Sequence, residues 1–159
     1  MIAVMCDAKV IPITSHALEI IEVEEIDSIE LPLFASYISA GFPSPADDYL
    51  EDKIDLNKYV VQNPTSTFLM RVRGNSMHDA NIHDGDLLVI DKSLKPSDGN
   101  PVVCFLESDF TVKTFRRINN KVFLYPANHA YKPIEITEEM DMRVWGVVVW
   151  ILHKPVKLI

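Results

Sequence analysis

Two side chains set far apart in this chain have the chemistry to work as a pair. One is Ser76, in Gly74-Asn75-Ser76-Met77, where a β-rich run from Phe68 to Val72 meets a glycine and then a serine on the bend. That layout holds a hydroxyl out from a tight turn, as a nucleophile requires, although serines in such places also serve as turn residues or helix N-caps. The other is Lys113, alone among the apolar and β-branched residues of Phe110-Thr111-Val112-Lys113-Thr114-Phe115. Strand alternation puts Thr111, Lys113 and Phe115 on one face and Phe110, Val112 and Thr114 on the other. A lysine sharing a face with Phe115 either snorkels to an edge or is buried. Burial disfavours the ammonium and lowers its pKa. A neutral amine can take the proton of a serine hydroxyl with no histidine or aspartate, as in the Ser-Lys variants of the catalytic triad. Spacing alone leaves open whether Ser76 and Lys113 meet.

Other reactive residue types have simpler accounts. His78, His83 and Cys104 have no spacing of a common metal site, so surface and core packing is expected and no metal or cofactor is assigned. Asp84 and Asp86 flank Gly85, which makes them turn carboxylates rather than a general acid/base pair. Met77 is expected to pack beneath the serine turn. Trp145 and Trp150 read as core and interface residues of the last strand. Arg116, Arg117 and Lys121 cluster at one hairpin and read as a solvated turn.

The elements that would position the pair are strands. Alternation and β-propensity place them at 67–72, 86–91, 102–106, 110–117, 121–125 and 143–151. Asp84-Gly85, Pro96-Ser97-Asp98-Gly99, Glu107-Ser108-Asp109 and Asn119-Asn120 separate them as turns. Several short strands with such turns argue for a mainly β sheet assembly or small barrel. Upstream, the Pro and Gly clustering of residues 32–45 marks a loop or linker. Ala40-Gly41 sets two small residues together in it, a bond that could enter a narrow cleft in extended form. Ser44-Pro45 reads as an N-cap and first-turn proline for a short acidic helix, about Ala46 to Lys53, carrying Tyr49 and Leu50 inward.

Residues 1–40 hold seven acids against the single base Lys9, so they carry a net −6 of the chain's −8. Isoleucine and valine alternate with glutamate from Leu18 to Ile29, which suits either an extended or strand-adding arm or a solvated, partly mobile tail, and no helix-turn-helix fits there. At 159 residues the chain fits one domain with an arm. The net charge of −8 makes the chain a poor candidate for nonspecific DNA binding through phosphate contacts. Cys6 and Cys104 lack paired spacing and read as free thiols in a reducing compartment. No apolar run is long enough for a membrane span and no secretory signal is visible, so a cytoplasmic protein is expected.

Beyond these local readings there is a resemblance. Gly41-Phe42-Pro43-Ser44-Pro45-Ala46, Asp48-Tyr49 and Ile54-Asp55-Leu56-Asn57 resemble the start of the mature UmuD proteins, the self-cleaving accessory subunits of bacterial DNA polymerase V. Gly74-Asn75-Ser76-Met77, Asp84-Gly85-Asp86-Leu87-Leu88, Phe110-Thr111-Val112-Lys113 and Trp145-Gly146-Val147-Val148 extend the likeness in order, from about Pro32 to Val149. The serine and lysine motifs are shared with LexA and phage repressors. The resemblance implies a LexA/UmuD-like peptidase fold of twisted antiparallel sheets, a partly closed barrel with a short helix and a removable arm. It implies Ser76 as nucleophile, Lys113 as general base, backbone N–H groups of Ser76 and Asn75 as oxyanion hole, and Ala40-Gly41 as the bond cut. Residues 1–40 would be the arm removed by self-cleavage, and 41–159 the peptidase and dimerisation domain. The implied partners are a second copy in a homodimer, a UmuC-type polymerase subunit, and a RecA filament on single-stranded DNA as co-protease. No operator binding is implied, and Met1 to about Ser15 have no counterpart in the resemblance. A non-cleaving dimeric adaptor is the competing reading, whereas a membrane leader peptidase would need an anchor that is not seen.

Overall fold

The computed structural model describes residues 10–11, 20–22, 28, 30–34 and 50–155. The chain divides into two compact units, residues 25–62 and the remainder. In the larger unit, β1 (Val10–Ile11) and β2 (Ile20–Glu22) come from the acidic arm. The smaller unit follows with β3 (Glu30–Phe34), β4 (Leu50–Asp55) and α1 (Leu56–Val60). The larger unit resumes with β5 (Thr67–Arg71), β6 (Leu87–Asp91), β7 (Pro101–Leu106), β8 (Asp109–Ile118), β9 (Lys121–Tyr125), β10 (Ile134–Ile136) and β11 (Met142–Leu152).

Nine strands of the larger unit form one antiparallel sheet, in the order β1-β2-β5-β6-β11-β7-β8-β9-β10. The expected mainly β, antiparallel fold is therefore present. Among the described residues its two edge strands do not pair, so the sheet is open rather than a closed barrel. β11 runs through the middle, held by β6 on one side and β7 on the other. Its register shifts between Val144 and Gly146 against β7, and between Val148 and Trp150 against β6. Bulges of this kind bend a long strand and raise its twist.

Alternation divides the core. Val103, Val112, Val148 and Ile90 join Met70 and Met77 in one buried cluster, and Val102, Cys104, Phe115, Leu124 and Val147 make a second. Neighbours along a strand thus face opposite sides, and both faces of the sheet are covered. Two hairpins carry the strand that bears Lys113. β7 reaches β8 through Glu107 (φ 47°) and Ser108 (φ 79°), and β8 reaches β9 through Asn119 (φ 49°) and Asn120 (φ 65°). Two successive left-handed residues match the twist of the flanking strands.

The six expected strands lie where alternation put them, within a residue or so at each end. Three readings need correction or completion. Pro32 to Phe34, expected in a loop, belong to β3, which pairs antiparallel with β4. Leu50 to Lys53, expected at the end of a helix, lie in β4 instead; Ala46 to Tyr49 are outside the described residues. The ladder to β3 outweighs local helix signals, because it gives every second backbone group a partner. A short helix does follow, but it starts at Leu56, ten residues after the expected start at Ala46. Asp55 caps it by accepting from the backbone N–H groups of Asn57 (3.0 Å) and Lys58 (3.4 Å). Within the arm, β2 adds to β5 with Ile21 opposite Leu69, as a strand-adding arm would.

Candidate active site

Ser76 sits on a turn braced from several directions. β5 ends at Arg71, but Val72 continues its ladder, donating to the Asp86 carbonyl (2.8 Å) and accepting from the Gly85 N–H (2.9 Å). Gly74 then takes φ +96°, a left-handed conformation in which a side chain is strained even though a Cβ there would meet nothing within 4 Å. Its N–H donates to the Asp84 carboxylate at 2.6 Å. Beyond the serine, Met77 is 1% exposed and belongs to the first core cluster, so it pins the turn from beneath as expected. Asp84 and Asp86 brace the turn too: Asp86 accepts from the His83 N–H at 2.8 Å.

The loop after β9 holds the turn from the other side. Asn128 donates to the Asn75 carbonyl (2.9 Å), Tyr131 donates its hydroxyl proton to the Asn75 side-chain oxygen (2.8 Å), and the Asp79 N–H donates to the Ala127 carbonyl (2.8 Å). Among the described residues, no acceptor takes the backbone N–H of Asn75 or of Ser76.

Lys113 lies on β8 opposite Val102 and is 8% exposed. Its amine reaches three oxygens: Ser76 Oγ at 3.0 Å, Thr111 Oγ1 at 2.7 Å and the Val112 carbonyl at 2.9 Å. Removal from water pushes the lysine pKa below its ordinary value. A thiolate at Cys104, across the β7–β8 ladder, would pull it back up. Burial raises that thiol to about 12, however, so Cys104 is neutral under ordinary conditions and desolvation prevails.

The structure thus brings together Ser76 and Lys113, which stand 37 positions apart in sequence. Ala40 and Gly41 lie outside the described residues. Cys104 is a free, buried thiol of the second core cluster, apart from any histidine cluster, whereas His83 gathers with Asp86 and His153. Trp145 packs against the first cluster and Trp150 is exposed. Arg116 and Lys121 pair with Asp98 and Glu135 on the exposed hairpin, as a solvated turn would. Sequence reading missed Thr111, Asn128 and Tyr131. Thr111 had a signal, since alternation sets it on the lysine's face; the other two reach the turn through tertiary contact alone.

A serine on a braced turn and a buried lysine thus stand at hydrogen-bond distance, carried by an antiparallel sheet. The sequence profile of the S24-like peptidases matches residues 32–149. The chain is 42% identical to the protein SamA of Salmonella typhimurium strain LT2 over 123 residues, covering 77% of this chain and 85% of that protein. It is 40% identical to the protein MucA of Escherichia coli over 119 residues, covering 74% and 81%. It is 36% identical to the LexA repressor of Shewanella piezotolerans over 147 residues, covering 91% and 70%. The chain belongs to the S24-like peptidase family, and within it to the UmuD-type members. Among the described residues no helix is long and apolar enough to cross a membrane.

Proposed function

We propose that this chain is a self-cleaving serine peptidase of the SOS response that cuts its own Ala40-Gly41 bond. The contact that carries the reading is the 3.0 Å hydrogen bond between Lys113 Nζ and Ser76 Oγ at a buried amine. With Lys113 neutral, its lone pair takes the Ser76 proton as Oγ bonds to the Ala40 carbonyl carbon. The N–H groups of Ser76 and Asn75 receive the oxyanion. As the C–N bond breaks, the lysine ammonium gives its proton to the leaving Gly41 nitrogen. Water, deprotonated by the same lysine, then hydrolyses the ester and frees Ser76.

Residues 1–40 are the arm so released, and residues 41–159 remain as the mature subunit. The UmuD-type resemblance supplies the setting: a cytoplasmic homodimer, a RecA filament on single-stranded DNA that favours the cleavable arrangement, and a UmuC-type polymerase subunit that the mature form joins for error-prone translesion synthesis. The filament contributes no catalytic group; it shifts the population toward a state the chain already samples.

Purified chain incubated with RecA, ATP and single-stranded DNA is expected to yield a 119-residue fragment beginning at Gly41. Intact-mass measurement identifies it, and Ser76→Ala and Lys113→Ala each abolish it. A chain that stays whole under these conditions leaves the non-cleaving adaptor as the account.

A further inference from the structure

The register of β6 on β11 sets Leu87 opposite Leu152. The residues just beyond that pair, Asp86 and His153, therefore meet where the two strands end, with His153 Nδ1 at 2.6 Å from Asp86 Oδ1. The Asp84-Gly85 turn folds His83 back onto the same carboxylate. Its N–H donates to Asp86 Oδ2, and its ring Nδ1 stands 3.7 Å from that oxygen. One donor atom from each of the three residues lies within 4.8 Å of the others.

Two observations point to a ligand here. His83 Nδ1 is out of contact with solvent and has no hydrogen-bond partner among the described residues; it faces a carboxylate just beyond hydrogen-bond reach. A cation between the two would satisfy both. Asp86 is 4% exposed. Its two oxygens are turned to the His83 N–H (2.8 Å) and the His153 ring (2.6 Å), so the carboxylate lies between the two histidines.

We propose that His83, Asp86 and His153 form a binding site for a first-row divalent cation of the zinc type. Two imidazoles and one carboxylate are ligands that zinc takes at about 2.0–2.2 Å. In a tetrahedral arrangement, bonds of about that length set the donors roughly 3.3 Å apart. The present separations are 2.6 Å from His153 Nδ1 to Oδ1 and 3.7 Å from His83 Nδ1 to Oδ2, with all donors within 4.8 Å, so the three side chains adjust about the ion on binding. On binding, the metal takes the place of the proton between His153 Nδ1 and Asp86; a neutral ring then carries its one proton on Nε2, and an imidazolium keeps that Nε2 proton and releases the other to solvent. Water completes the coordination, entering past His153, which is partly exposed. Hard cations such as magnesium prefer all-oxygen sets and are disfavoured. His78 packs edge-to-face against His83 (ring centroids 4.9 Å apart, planes at 81°) but points its Nδ1 at Asp79, outside the donor set. The loop that supplies His83 and Asp86 also holds Gly74 through Asp84, so an ion here would fasten the end of β11 to the turn that carries Ser76.

The test uses untagged, chelator-treated full-length chain titrated with Zn²⁺ and with Co²⁺. One ion per chain is expected, with visible Co²⁺ bands and a rise in Tm, since a ligand that binds only the folded state stabilises it. His83→Gln and His153→Gln are each expected to weaken binding at least about tenfold and to remove the metal-dependent rise in Tm. Asp86→Asn keeps the side chain's shape and serves as companion should a histidine variant unfold; His129→Gln leaves binding unchanged. No stoichiometric binding of either ion, or undiminished binding in a folded His83→Gln/His153→Gln double variant, would overturn the proposal.

Discussion

An ammonium has three protons to give and no lone pair with which to take one, so Lys113 is idle while charged. Its three oxygen partners fit that charged form: Ser76, Thr111 and the Val112 carbonyl each accept one proton. Losing one proton changes the arrangement. Thr111 and Val112 keep the two remaining N–H bonds, and the lone pair is left facing Ser76, which can then donate. Thr111 acts as a positioning residue through Lys113. Thr111→Val is nearly isosteric and removes only the acceptor. Self-cleavage is expected to slow by about tenfold, the equivalent of one hydrogen bond worth about 1.4 kcal/mol, with the fold unchanged by circular dichroism. A rate equal to wild type would mean that the 2.7 Å contact contributes nothing to aiming the amine. Ser76 and Lys113 were legible because each breaks its local pattern, a hydroxyl on a glycine bend and a charge among apolar residues. Asn128 and Tyr131 break none: an asparagine and a tyrosine in a Pro-containing loop look like any others until the fold lays that loop against Asn75.

At the level of elements, the frame depends on β11 lying close against β6. Gly146 is buried there, and a Cβ added to it would stand 2.5 Å from Ile90 Cγ2 and 3.1 Å from the Asp91 carbonyl oxygen. The isoleucine methyl can swing away, whereas the Asp91 backbone is fixed by its own pairing with Thr67 and Val147. Gly146→Ala is therefore expected to destabilise by about 1–3 kcal/mol, the usual cost of overpacking, as urea unfolding would register. No loss of stability would mean that the two strands have room to separate. Strands of this kind were legible from alternation, since β6, β7, β8, β9 and β11 each present a face to a packed core. β3 and β4 were not, because Pro32 and the acids Glu51, Asp52 and Asp55 weaken any β signal, and their pairing is a contact between segments rather than a local preference. The three residues of β10 are too few to show a period.

For the molecule as a whole, cutting at Ala40-Gly41 would alter both charge and sheet. The arm carries a net −6 of the total −8, so the mature fragment keeps only −2. Its release also strips β2 from β5, since Ile20, Ile21 and Glu22 pair with Met70, Leu69 and Phe68. The strand that leads to Ser76 then becomes the edge of the sheet, with backbone groups open to solvent. Hydrogen–deuterium exchange is expected to accelerate at the β5 amides that face β2, while amides between β6 and β11 keep their protection. Unchanged exchange at β5 would mean that the arm stays in place or never shields it.

The central claim is that a neutral Lys113 deprotonates Ser76, and the rate of self-cleavage against pH, without a filament, tests it most directly. Only the uncharged amine can act, so the rate should climb about tenfold per pH unit while the amine is mostly protonated, then level off once it is not. Because burial lowers the lysine pKa, the plateau should arrive below the ordinary value of about 10.4. Lys113→Ala should abolish the reaction at every pH. A rate independent of pH, a rise that continues past the ordinary lysine value, or cleavage that persists in Lys113→Ala would contradict the account.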